Sequence, residues 1–523
     1  MNKRTFVKNT ALMTVTSLLL RTLGIVFRLI LSGRLGAQGM GLYQLVFSVY
    51  VLGTAFASAG ITTAVTRTVG ERLAKGDAAG ARRAVRLSAW LSLSVGLFSA
   101  AVLFFARSGI AALIGDARAC PALAVCGAAL PFVGVSACLK GHFLARRRAG
   151  PPCVAQLAEQ ITRIGAVLSL LTLAGDPPLG EACRIVMLGD VLSEGVSCAL
   201  LLIFYLSDTR RLRRATAPVP PLRRRTVLRQ LLGIAVPLTA GRYLTTVLRT
   251  VENILVPARL TLFTRSDALS LAQFGAVKGM ALPLLFFPAA LLVTVTNLLV
   301  PELSDAHALG QRRQVARAGE RAVDITVAAG IPIGCVFTVY GDVLGQLLYH
   351  DATVGLLLTL LGPLAPVMYL DTVATGLLRG LGEQVHSLWY AVADLIVRLV
   401  LIWLLLPRWG LSGFLFVMLV SNLLTAALST HRLLTVSGAR LCWRQKVFRP
   451  LFAALLCGGA VAALRRLLPA PVGTAAQILR LCLGSCVILS VCALVYFVID
   501  RSPPVVYTSL KRSKKGEDRA CGN

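Results

Sequence analysis

Two short stretches of this 523-residue chain place arginines where charge is costly: Arg21-TLGIVF-Arg28 and Arg242-YLTTVL-Arg249, each inside an apolar run. Seven residues advance a helix by nearly two turns, so each pair of guanidinium groups falls on one face, about 10 Å apart along the axis. A cation facing lipid near the bilayer centre costs at least ~2.5–3.5 kcal/mol. Two matching stripes are better explained by a shared water-filled cavity. Guanidinium forks suit an anionic ligand, phosphate above all. Lys278, in the apolar run that follows the second stripe, extends the same surface. The competing reading has Arg28 and Arg249 snorkelling to the outer surface, with only Arg21 and Arg242 facing protein.

Carboxylates form the second set. Glu252 stands three residues after Arg249, close enough to neutralise it as a structural pair. Glu252, Asp371 and Asp394 are also the candidates for a coupling cation, Na⁺ or a proton. Glu159/Arg163 and Asp394/Arg398 are opposite-charge pairs at i,i+4. Asp190 and Glu194 are like-charged at that spacing, so either one carries a proton or both face water. Five dispersed histidines, and thirteen cysteines with no CxxC pair, supply no metal-ligand spacing. No HExxH, GxSxG or Walker motif occurs. The expectation is a non-enzyme with no resident metal or cofactor.

The elements that hold these residues follow from composition. The chain is 56% hydrophobic and only 15% charged, with a mean hydropathy of +0.75. Its 54 Lys and Arg against 23 Asp and Glu give a net +31. So apolar a chain argues against a nucleic-acid partner despite that charge. About fourteen apolar runs are long enough to cross a ~30 Å hydrocarbon layer as helices, and none alternates with the period of a barrel strand. The first is too long for a signal-peptide core, carries Arg21 at its middle and lacks a small-residue cleavage site after it. With the N- and C-termini cytoplasmic, most of the basic residues fall in cytoplasmic connections, as the positive-inside rule requires. The runs at 210–214, 223–225 and 511–515 are read as such topology markers.

The predicted organisation is a six-helix bundle over 1–206, a basic cytoplasmic linker over 207–229 and a second six-helix bundle over 230–430. A cytoplasmic loop over 431–449, two additional helices over 450–499 and a basic tail over 500–523 complete it. The halves repeat one another: Leu23 matches Leu244, Val26 matches Val247, and Glu71 aligns with Glu302. Six helices per half give the repeats one orientation, and such repeats place a substrate site at their interface near the midplane.

The stretch RTLGIVFRLILSGRLGAQGMGLYQLVFSVY (21–50) resembles the opening of the stage V sporulation protein B family. GLLRGLGEQVHSLWYAVADLIVRLVLIWLLLPRWGLSGFLFVMLVSNLL (376–424) is similar to that family's RGLG turn and following LPxxGxxG. The family lies in the polysaccharide-transporter branch of the multidrug/oligosaccharidyl-lipid/polysaccharide (MOP) exporter superfamily. The resemblance implies an all-α polytopic membrane protein, two six-helix bundles in a V plus two C-terminal helices, working by alternating access. It implies a bacterial plasma-membrane flippase for an undecaprenyl-pyrophosphate-linked saccharide, with lipid II for spore cortex as one candidate, and membrane lipid as its surroundings. In related MurJ-type lipid II flippases, cavity arginines on the first helix bind substrate. Arg21 and Arg28 take similar places, spaced one residue wider, and Leu29 stands where that motif has Asp. The last two helices imply a groove for the lipid tail. Two alternatives stand beside this. One is a cation-coupled multidrug extruder, for which an Arg-lined cavity is electrostatically wrong. The other is a non-transporting scaffold that recruits cell-wall synthesis enzymes through its basic loops.

Overall fold

The apolar runs fold as helices, and no strand occurs among the described residues, 3–58, 60–214, 224–439, 449–467 and 474–500 of the computed structural model. In chain order the helices begin α1 (Lys3–Ser58), α2 (Ile61–Ala74), α3 (Ala78–Ile114), α4 (Cys120–Cys126), α5 (Leu130–Ala145) and α6 (Gly150–Ala174). They continue with α7 (Leu179–Arg214), α8 (Arg224–Thr264), α9 (Asp267–Phe274), a π-helical segment (Gly275–Ala281), α10 (Leu282–Leu285) and α11 (Ala289–Ala308). The remainder are α12 (Arg312–Tyr349), α13 (Ala352–Leu361), α14 (Ala365–Gly380), α15 (Gln384–Ser437), α16 (Arg449–Leu467) and α17 (Thr474–Asp500). Residues 215–223 of the expected linker, 440–448 of the expected loop and 501–523 of the expected tail lie outside the described residues.

Among the described residues, eleven stretches are long and apolar enough to cross a membrane. Two are too long for one crossing. The stretch Ala11–Ala74 has 64 residues, about 96 Å at the helical rise against a ~30 Å layer. It is broken inside α1 at Gly36, which takes φ 64° and ψ −178°. The 54-residue α15 is broken likewise at Gly410, with φ 55° and ψ −132°. Positive φ is open to glycine at no steric cost, so one residue type explains both breaks. With these divided, and the shorter apolar α16 added, the protein is all-α and polytopic with about fourteen membrane helices.

The chain forms two compact units, Met1–Thr294 with Glu383–Thr425, and Val295–Gly382 with Ala426–Asn523. In the first, α2, α3, α5, α7 and α8 share a core around Val65, Val85, Leu139, Phe143, Leu201 and Leu231. A buried ionic knot ties α5 and its following turn to α7: Asp208 accepts from His142 at 3.1 Å, from Arg148 at 2.7 Å, and from Arg146. In the second unit, α12 packs against α13, α14, α16 and α17.

The half of α1 beyond Gly36 meets α9 and the π segment backbone to backbone. A Cβ added at Gly275 would overlap the Ala37 carbonyl and the Gly41 amide, and one added at Gly41 would overlap the Leu271 carbonyl. Close approach through small residues is how membrane helices gain packing without a hydrophobic driving force. Gly275→Ala should therefore destabilise the detergent-solubilised protein by about 1–3 kcal/mol, the usual penalty of overpacking. Gly233→Ala in α8, whose added Cβ meets nothing within 4 Å, should leave the thermal midpoint unchanged or raise it. Equal midpoints for both variants would contradict the packing described.

Candidate functional site

The cationic stripe of α1 opens onto a cleft of about 360 Å³ within the first unit. Arg21, Gly24, Ile25 and Arg28 line it from α1 before the Gly36 break, and Gln44 from α1 after it. Lys278 enters from the π segment, and Phe286 and Phe287 close the apolar side. The i to i+7 spacing that puts Arg21 and Arg28 on one face is what lets both reach one cavity. Among the described residues, neither guanidinium is paired with a carboxylate. They can offer full charge and fork geometry to an anion.

Lys278 is tethered. Its Nζ donates to Glu252 Oε1 at 2.9 Å, and Arg398 Nη2 donates to the same oxygen at 2.6 Å. The Glu252 side chain is only 2% exposed. One carboxylate thus holds two cations, and the group keeps a net positive charge beside the cleft. The π segment (Gly275–Ala281) carries Lys278 between α9 and α10. Such segments recur at functional sites, yet glycine and alanine in an apolar run gave no sequence signal for one.

The other expected residues lie elsewhere. Arg242 and Arg249 are exposed on α8 and do not line this cleft, although Arg249 lies in the electrostatic field of Glu252 and Lys278. Of the candidate coupling carboxylates, Glu252 is occupied by Lys278 and Arg398. Asp394 accepts from Ser421 at 2.5 Å. Asp371, in the second unit, accepts from Ser429 at 2.9 Å. Two expected local pairs change partners. Arg398 turns from Asp394, one helical turn away, to Glu252, and Glu252 is hydrogen-bonded by Lys278 and Arg398 and not by Arg249. Arg163 does reach Glu159 at 3.3 Å, but its shorter contact is with Asp190 at 2.5 Å. Local spacing proposes a partner, whereas a cation on a neighbouring helix with better geometry takes it.

Residues 6–305 match the model of a family described as polysaccharide biosynthesis protein. The chain belongs to that family. It is 24% identical over 417 residues to stage V sporulation protein B of Bacillus subtilis (strain 168), covering 79% of this chain and 80% of that one. Among solved structures it is similar to the lipid II flippase MurJ in an inward closed conformation, with a TM-score of 0.68 at 12% identity, covering 93% of this chain and 98% of the other. It is also similar to an inward-facing multidrug resistance MATE family transporter of the MOP superfamily, with a TM-score of 0.64 at 14% identity, covering 82% and 100%. This family member therefore has the helical fold of the MOP transporters.

Residues that the spacing of charges did not reveal are Gln44, the two phenylalanines and Arg398. The last was visible as an intramembrane charge but was assigned to a different carboxylate. Glu252→Gln should cost about 3–5 kcal/mol, because it leaves two half-buried cations without the buried carboxylate that holds them. In a double-mutant cycle by thermal unfolding, Glu252→Gln and Arg398→Gln should couple by about 0.5–3 kcal/mol. Asp394→Asn and Arg398→Gln should couple less. Stronger coupling to Asp394 would return Arg398 to the local pair.

Proposed function

We propose that this member of the polysaccharide biosynthesis family is a flippase that carries an undecaprenyl-pyrophosphate-linked saccharide across the bacterial plasma membrane, with both termini cytoplasmic. The observation that carries the reading is the pair of unneutralised arginines, Arg21 and Arg28, in one cleft with Lys278. Arginine forks recognise phosphate oxygens bidentately, and a pyrophosphate spans more than one such group. The same positive cleft repels cationic drugs, which sets this reading above a multidrug extruder.

A second feature fits the lipid part of such a molecule. The second unit contains an apolar groove of about 830 Å³ between α12, α13, α14 and α16, lined by Ile331, Val339, Leu356, Leu451 and Leu455 among others. A polyisoprenyl chain is matched to a surface of that kind, and Asp342 forms an ion pair with Arg465 along its wall. The names borne by relatives, a sporulation protein and a lipid II flippase, make a peptidoglycan precursor the first substrate to try. A simpler lipid-pyrophosphate sugar is the second.

Reconstitution into liposomes tests this directly, with fluorescent lipid II and with a fluorescent undecaprenyl-pyrophosphate monosaccharide followed for translocation. Hydrogen bonds to charged groups contribute about 1.5–3 kcal/mol. Arg21→Ala and Arg28→Ala should thus each slow transport by about 10- to 100-fold, with membrane insertion unchanged. Transport of neither lipid under an imposed potential or ion gradient would reject the flippase reading. Unchanged rates in both variants would reject the site.

A further inference from the structure

We propose that Arg398 is the reserve counter-ion of Glu252: it frees Lys278 to leave that carboxylate and complete the cationic wall of the cleft when a pyrophosphate enters. The inference rests on the reading of the cleft as an anion site. It gives a positioning role to two residues, Glu252 and Arg398, that do not line the cleft themselves.

Glu252 on α8 receives two donors on one oxygen, Lys278 Nζ from the π segment at 2.9 Å and Arg398 Nη2 from α15 at 2.6 Å. The two donors are not equivalent. Lys278 lines the cleft beside Arg21 and Arg28, whereas Arg398 does not. Only the lysine is therefore placed to serve either of two anions. One carboxylate between two cations leaves one positive charge in excess, so the departure of one cation leaves a balanced pair behind.

An atom without a partner shows which cation goes. Arg398 Nε is a buried donor with no acceptor, while Nη2 of the same guanidinium already donates to Glu252. Nε and Nη2 lie along one edge of the planar group, spaced to grip both oxygens of a single carboxylate. Once Lys278 leaves, the Glu252 carboxylate can turn onto that edge and give Nε the acceptor it lacks. Departure of Arg398 would instead strand a second buried donor, which protein interiors avoid.

The lysine can make this exchange without moving its helix. The π segment is pinned where Gly275 meets the backbone of α1, with no room for a Cβ. The four-carbon stem is flexible, and its ammonium is a point charge with three rotatable donors. Without Arg398, the same movement would leave Glu252 buried and unpaired, a strongly unfavourable state.

The test measures binding of undecaprenyl pyrophosphate to the purified full-length protein in nanodiscs. Lys278→Gln should weaken binding at least about tenfold, the usual loss for a hydrogen bond to a charged group. Arg398→Gln leaves Glu252 and Lys278 as a balanced pair, and should weaken binding by a similar factor although residue 398 does not touch the cleft. Adding Glu252→Gln to Arg398→Gln releases the lysine, and should restore affinity to at least the wild-type level. A merely structural part for these residues would make the second substitution additive or worse. In a Lys278→Gln background the same two substitutions should change affinity less than about twofold, since no lysine remains to be released. Wild-type affinity in Lys278→Gln or in Arg398→Gln would overturn the exchange, as would the absence of recovery in the double variant. Wild-type protein that does not bind the probe would overturn the cleft reading and the exchange together. If the series behaves as expected and no lipid is translocated in liposomes, the flippase reading fails while the exchange stands.

Discussion

Glu252 accepts from Lys278 and from Arg398 through a single oxygen, in a side chain almost wholly withdrawn from solvent. Breaking a buried pair of this kind leaves an uncompensated charge, which is strongly destabilising. The requirement that charge inside the helices be compensated locally organises much of the first unit. It orients the π segment so that Lys278 faces α8, and it draws Arg398 from α15 toward the same carboxylate. It binds α6 to α7 through Arg163 and Asp190, and α5 to α7 through His142 and Asp208.

Arg21 and Arg28 have no such carboxylate among the described residues, and unlike the exposed Arg242 and Arg249 they share a cleft with Lys278, whose carboxylate is also bonded by Arg398. Two guanidinium groups open to one cavity without a carboxylate partner are the feature on which the proposed anion site rests. The backbone contact of Gly41 with α9 and of Gly275 with α1 holds the π segment, and with it Lys278, against the helix that carries both arginines. Position and charge thus come from one piece of packing.

Much of this was legible in the sequence. Length and apolarity identified the helices, and the two breaks occur at glycines between adjacent apolar runs. The seven-residue spacing correctly put Arg21 and Arg28 on one face. The repeated pair was less informative: Arg242 and Arg249 share the spacing but stand exposed on α8, because periodicity fixes which residues share a face and not which way that face points. Arg398 shows the complementary limit. The carboxylate one turn away was the partner visible in sequence, and Glu252, 146 positions distant, is the one it bonds. The π segment left no trace in composition, since its residues suit an α-helix equally well.

The central claim is that an anionic lipid headgroup sits against Arg21 and Arg28. Its most direct test is photocrosslinking from position 25, where Ile25 lines the cleft between the two arginines. A photoreactive residue there, irradiated in membranes containing undecaprenyl pyrophosphate, is predicted to give a pyrophosphate-bearing adduct that disappears when both arginines are replaced by alanine. Equal labelling by the zwitterionic bulk phospholipid, or an adduct indifferent to the arginines, would contradict the account.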